Sequence, residues 1–171
     1  LVRGHEVDDE AADHEEDVHP DDAEIEQGDA AARQRMGLLC RMVDDDQKRR
    51  DAGMNVRRKV LGNAWVDKSI AGRNTFNTDF QDLITRYAWG EIWTRPGLPR
   101  HTRSLLTIGL MVALNRTDEF RLHLRAAFNN GVTREEIREV LLHCAIYAGV
   151  PAANSAFHMA EEVFAQMQQT T

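Results

Sequence analysis

From Leu105 to Leu114 the chain reads Leu-Leu-Thr-Ile-Gly-Leu-Met-Val-Ala-Leu, apolar at nearly every position. The run is too short to cross a bilayer and too evenly apolar for the alternation of a half-buried strand. It predicts a helix buried on most sides, around which other elements must pack. The flanking sequence supplies them in the same period. A helix from Asp46 through Gln47 to Leu61, interrupted only by Gly53, stops at Gly62-Asn63. A second, from Asn74 to Tyr87, places Phe76, Phe80, Leu83, Ile84 and Tyr87 on one face that should be buried. Gly90 to Pro99, with Trp93, Pro96 and Pro99, reads as a loop or short turn. A helix from Thr117 to Phe128 should end at Asn129-Asn130-Gly131, where Gly131 suits the left-handed backbone of a helix terminus. Thr133-Arg134-Glu135-Glu136 spells a capping box for a helix that ends at Gly149, and Pro151 opens the last one. No strand pattern interrupts this series, so the expected class is all-α.

Polarity is concentrated at one end. Residues 1–30 hold thirteen of the 28 acids and one of the 21 bases, Arg3. The formal charge of −7 therefore divides into −12 for that segment and +5 for the remainder. A segment so charged and free of aromatics buries too little apolar surface to offset its ordering entropy. Residues 1–45 are read as a disordered acidic arm or linker, with Arg33 to Val43 a linker or frayed helix, and residues 46–168 as the helical domain. The domain's mild positive charge suits a small anionic substrate and is too weak to argue for nucleic acid. Cys40 and Cys144 form no Cys-x-x-Cys pair, which leaves no dithiol or zinc signature. With no span-length apolar stretch and no secretory segment, a cytoplasmic protein without membrane partners is expected. The first residue, Leu1, fits a processed product, a piece of a larger polypeptide, or an extension upstream of a start at Met36 or Met42.

Four blocks, in order and without gaps, point further. They are Gly53-Met54-Asn55-Val56-Arg57-Arg58-Lys59-Val60-Leu61-Gly62, then Trp89 through Leu105 with Arg95-Pro96-Gly97-Leu98-Pro99-Arg100-His101 at its centre. His123-Leu124-Arg125-Ala126-Ala127 running into Asn130 through Ile137 is the third, and Tyr147 through Ala153 the fourth. Together they resemble the 4-carboxymuconolactone decarboxylases across residues 47–167. The resemblance implies an alkylhydroperoxidase D-like helical fold, a homo-oligomer (hexamer or trimer), and loss of CO2 from 4-carboxymuconolactone to give 4-oxoadipate enol-lactone in aromatic catabolism by the β-ketoadipate route. Peroxidase-system members of the wider superfamily carry Cys-x-x-Cys-x-x-x-His before the Gly-Val turn. Those positions here are Arg116, Glu119 and His123, so the histidine stays and the thiols do not.

The implied reaction needs no cofactor. The departing carboxylate sits on a ring carbon conjugated through a double bond to the lactone carbonyl, so its electron pair spreads to the lactone oxygen as CO2 leaves. The protein must anchor two carboxylates, stabilise the developing dienolate and deliver a proton to carbon. His123, by family position, is the expected donor. Glu119 lies four residues earlier on the same face, where a carboxylate favours the protonated imidazole. Spacing alone favours an exposed ion pair; it is the family position that turns the preference for His123. Arginine suits the clamp. Arg103, leading into the buried helix, is the first choice, flanked by Arg95 and Arg100. His101 is a second donor or a loop residue; Glu91 and Trp93 line the pocket or serve structure. Glu139 and His143 repeat the four-residue spacing, whereas di-iron helices use Glu-x-x-His, so no metal is expected. Two rivals stay open: a relative acting on another lactone, and a non-catalytic member of the same fold.

Overall fold

The computed structural model describes residues 20–169, with side chains from residue 32 onward. Its helices are α1 (Pro20–Leu61), α2 (Asn63–Ala71), α3 (Thr78–Ile84), a π-helical segment (Thr85–Ile92), α4 (Arg100–Ala113), α5 (Thr117–Asn129), α6 (Arg134–Tyr147) and α7 (Val150–Gln169). No strand occurs among the described residues, as the sequence leads one to expect. The contacts divide the chain between Val43 and Asp44. Of the acidic arm, residues 1–19 lie outside the described residues. From Pro20 the backbone is already helical, well before Asp46 where the periodicity begins to speak. Residues 30–36, Ala-Ala-Ala-Arg-Gln-Arg-Met, explain this, since helix propensity needs no apolar face. None of residues 32–45 is buried, in keeping with a segment that brings no core residues.

In the body, α4 to α7 enclose one core, with Ile108 and Val112 of α4 meeting Phe120 and Leu124 of α5, Leu141 of α6 and Val163 of α7. A smaller cluster joins Val60 and Leu61 of α1, Val66 of α2, Trp89 and Ala126. Helix α5 therefore serves both, through the adjacent residues Ala126 and Ala127. Its end is punctuated as expected: Gly131 takes a φ of +81°. The capping box of α6 is complete, with the Glu136 amide donating to Thr133 Oγ1 at 3.1 Å and the Thr133 amide to Glu136 Oε2 at 2.8 Å. Helix α2 escaped sequence reading because its nine residues carry only a short apolar pattern; Gly62, with φ +86°, turns the chain into it.

Two expectations fail in the same way. Leu105–Leu114 is buried only at Ile108 and Val112, while Leu106, Leu110 and Leu114 are each more than half exposed. The face of Phe76, Phe80, Leu83 and Tyr87 also lies open, with Phe76 97% exposed, because none of the described residues covers it. Both stretches are largely helical, but the described residues cover one side of each only.

The proline-rich loop is positioned by an unusually close crossing. At Gly53 of α1 a Cβ would collide with the Thr85 carbonyl and stand 2.8 Å from the Gly90 amide, and at Gly90 it would collide with the Arg49 carbonyl. Two glycines let α1 and the π-helical segment touch backbone to backbone. Beside them Arg57, 2% exposed, donates to Ser69 Oγ at 2.9 Å, Gln81 Oε1 at 3.2 Å and Thr85 Oγ1 at 3.4 Å. One guanidinium thus ties α1 to α2, α3 and the π-helical segment. Gly53→Ala should lower stability by about 1–3 kcal/mol through this overpacking. Gly37→Ala, a helical glycine with no neighbour near its Cβ position, should cost nothing or gain up to about 1 kcal/mol. Urea unfolding of the two variants measures the difference; equal effects would mean that the crossing is not tight.

Candidate active site

Beyond the π-helical segment the chain turns through Trp93–Pro99 into α4. This loop, the first turn of α4, one face of α1 and the end of α5 surround a groove of about 740 Å³. Of the residues that the sequence offers for substrate binding, Trp93, Arg95, Arg100 and His101 line it. Lys59, Asn129 and Asn130 also line it and were missed. Lys59 hides in the run Arg57-Arg58-Lys59, which reads as a solvated face. The two asparagines read as a helix stop and nothing more. The signal for Lys59 was its spacing: Val56 and Lys59, three apart on α1, present one face to the groove.

Each wall is fixed by identifiable contacts. The Trp93 ring stacks on Trp89, centroids 5.1 Å apart, anchoring the loop to the smaller core. Asn129 Nδ2 donates to the Val60 carbonyl at 3.0 Å, pinning α5 to α1. Asn130 Nδ2 donates to the buried Ser104 Oγ at 2.9 Å, pinning α5 to α4. Asn130 Oδ1 is left buried without a partner. Among the described residues lining the groove there is no carboxylate, and Lys59, Arg95 and Arg100 make no ion pair with one. Three cations facing one concavity without internal counter-ions suit an anionic guest.

His101 has the most defined environment. Its Nε2 lies 3.0 Å from Glu136 Oε1 and 3.1 Å from Oε2. The Thr133 amide and the His101 ring together hold the Glu136 carboxyl below the usual carboxylate range.

The remaining expected residues fall elsewhere. Arg103 does not line the groove: Nε donates to the Leu98 carbonyl at 3.2 Å and Nη2 to the Arg95 carbonyl at 3.1 Å. The carbonyls bind the guanidinium that the sequence reading reserved for a substrate carboxylate, and they staple the loop to α4. Glu91 is turned toward Arg49 of α1, at 3.9 Å, and is also absent from the lining. Glu119 is exposed at the start of α5. His123 is partly buried on α5, beside the buried Leu124, and is likewise absent from the groove lining. Burial pushes its imidazole below the ordinary value, and the opposing pull of Glu119 is the smaller effect. Desolvation outweighs a carboxylate that is itself in water, so burial works against the protonated imidazole that the spacing with Glu119 suggests. Cys144 is buried, its thiol pushed up by desolvation, and packs as a small apolar residue. Glu139 is paired with its neighbour Arg138 at 3.2 Å.

His123 makes stability depend on pH in a definite sense. Above 6.5, its ordinary value, the ring is neutral in folded and unfolded chains alike. As pH falls through and below that value the unfolded chain takes the proton first, so stability declines until the folded-state ring also titrates. His123→Gln should lose this part of the acid sensitivity, giving a shallower fall in stability below about pH 6.5. Urea midpoints at several pH values test it; parallel curves for both proteins would contradict a buried neutral ring.

Comparison with known proteins adds the chemistry. The model of the carboxymuconolactone decarboxylase family matches residues 78–162. A 4-carboxymuconolactone decarboxylase of Acinetobacter baylyi is 59% identical over 120 residues, covering 70% of this chain and 90% of that enzyme. A nitrosuccinic acid decarboxylase of Metarhizium robertsii is 43% identical over 127 residues, covering 73% of this chain and 89% of the relative. A 4-carboxymuconolactone decarboxylase of Pseudomonas putida is 53% identical over 47 residues, which cover 28% of this chain and 98% of that sequence.

Proposed function

Because the chain belongs to the carboxymuconolactone decarboxylase family, we propose that it removes CO2 from 4-carboxymuconolactone, without a cofactor, to give 4-oxoadipate enol-lactone. The likeness to the Acinetobacter enzyme names the reaction. The observation that carries it to this chain is the groove, with Lys59, Arg95 and Arg100 around His101 and no lining carboxylate. A dicarboxylate lactone supplies the two negative charges that such a groove is built to receive. The stacked Trp93 offers a flat apolar wall for the ring.

In this reading the cations anchor the carboxylates. The bond from the ring carbon to the departing carboxylate breaks, and its electrons run through the double bond to the lactone oxygen. Helix α4 begins at the groove with Arg100 and His101, so the positive end of its dipole lies near the charge that develops. A proton then passes to carbon, and solvent restores the donor. We assign the donor to His101, not His123, because His101 lines the groove and His123 does not. Arg103 serves by holding the loop that carries Arg95. The pathway is the β-ketoadipate branch of protocatechuate degradation, in the cytoplasm.

The protein acts as a homo-oligomer, a hexamer or a trimer. What supports assembly is apolar surface: Phe76, Phe80, Leu83 and Tyr87 lie open on one side, Leu106, Leu110, Ile146 and Tyr147 around α4 and α6. A further concavity of about 700 Å³, lined mainly by apolar residues of α4 and α6, lies on the latter face. Monomers rarely leave so much apolar surface open. Light scattering should give three or six times the chain's 19.4 kDa; a mass near 19.4 kDa at working concentrations would exclude assembly.

Purified protein incubated with 4-carboxymuconolactone and no added cofactor should release CO2 and form the enol-lactone. Arg100→Met should raise KM about tenfold or more, as loss of a charge-assisted clamp would, with kcat less affected. Turnover of nitrosuccinic acid and not of the lactone would instead group the chain with its Metarhizium relative.

A further inference from the structure

Glu136 belongs to α6, outside the groove, and capping would suffice to explain it. Its carboxylate nevertheless reaches Nε2 of His101, 35 residues earlier, with both oxygens within 3.1 Å. The same Oε2 accepts from the Thr133 amide at 2.8 Å and the Thr133 hydroxyl at 3.1 Å. We propose that Glu136 is a positioning residue for the decarboxylation, using the capping box of α6 as a rigid mount that fixes the ring of His101.

A carboxylate on a flexible side chain orients a partner poorly, since both groups keep several rotamers. Here the rotamer of Glu136 is set by the geometry of a helix N-terminus. The amide and hydroxyl of Thr133 hold Oε2, which leaves both oxygens directed to one nitrogen of the imidazole. Engaging Nε2 leaves Nδ1 as the ring nitrogen not held by the carboxylate, on a residue that lines the groove. A ring held at one nitrogen by an ionised carboxylate can give up a proton from the other, with the tautomer fixed by the held side. The charged groups facing His101 are Glu136 from α6, Lys59 from α1, and Arg95 and Arg100 from the loop and the start of α4. Glu136 is the acid among them, and its carboxylate is the group in contact with the ring. As a stabilising contact the half-exposed pair matters little. Its consequence is orientation.

The proposal rests on the decarboxylase reading and on His101 as donor. The test compares kcat and KM for 4-carboxymuconolactone in the full chain and four variants. Glu136→Gln keeps a capping-box side chain and hence the fold, but presents an uncharged amide to His101. It should lower kcat about ten- to hundred-fold, the scale of lost second-shell support, with KM within about threefold of the parent. Thr133→Ala removes the cap hydroxyl and spares the shorter amide contact. It should lower the Tm and reduce kcat by less than Glu136→Gln does, since the amide still holds Oε2. His101→Gln should lower kcat at least as far, and His101→Gln with Glu136→Gln no further, because one residue acts through the other. Normal kcat in Glu136→Gln, or multiplied losses in the double variant, would overturn the positioning role and leave the decarboxylase reading intact. Absence of turnover in the parent protein would overturn both.

Discussion

The close crossing of α1 and the π-helical segment is the constraint from which the groove's geometry follows. Backbones meet only where both chains lack a Cβ, and Gly53 and Gly90 provide that at a single point. Once they meet, Val56 and Lys59, one turn or so along α1, face the loop that leaves the π-helical segment at Trp93. Gln81 and Thr85 accept from the Arg57 guanidinium near the same crossing, and the Trp89–Trp93 stack carries its position into the loop. Widening to a π-helix adds a residue to the turn, a distortion often found near functional sites. Here it serves to bring Gly90 against α1 and to aim the following loop across it.

On that frame the groove divides its charged residues between structure and chemistry. Arg103 gives two donors to loop carbonyls, and Arg49 and Glu91 turn toward each other. Lys59, Arg95 and Arg100 keep their charge available to the groove. The histidines divide similarly. His101 is partly exposed, at the start of α4, and in contact with a carboxylate; His123 is partly buried on α5, and desolvation is the larger influence on its ring. Spacing singled out His123 through Glu119, because it records neighbours along one helix and nothing of what packs over them.

The apolar surfaces give a parallel lesson. Leu105–Leu114 and the Phe76–Tyr87 face carry more apolar side chains than the described residues bury, and the surplus lies on two exposed faces. Free energy from burial depends on area removed from water, so these residues contribute only once something covers them.

The sequence by itself determined the helices from Arg100 onward, the capping box at Thr133, the turn at Gly131, and the membership that names the chemistry. All of these are encoded by residues within a few positions of one another, or by the order of short blocks. It also picked out Trp93, Arg95, Arg100 and His101, since a proline-rich loop between helices is where such residues gather. Tertiary structure alone decided that Lys59 and Asn130 join them, that Arg103 and Glu91 do not, and that Glu136 reaches His101. It alone revealed why Gly53 is glycine. The physical reason is common to all: each depends on a contact between residues distant in sequence, and such contacts leave no period, cap or breaker in the local pattern. Burial works likewise. A side chain's charge state follows from the water around it, which only the packed chain excludes.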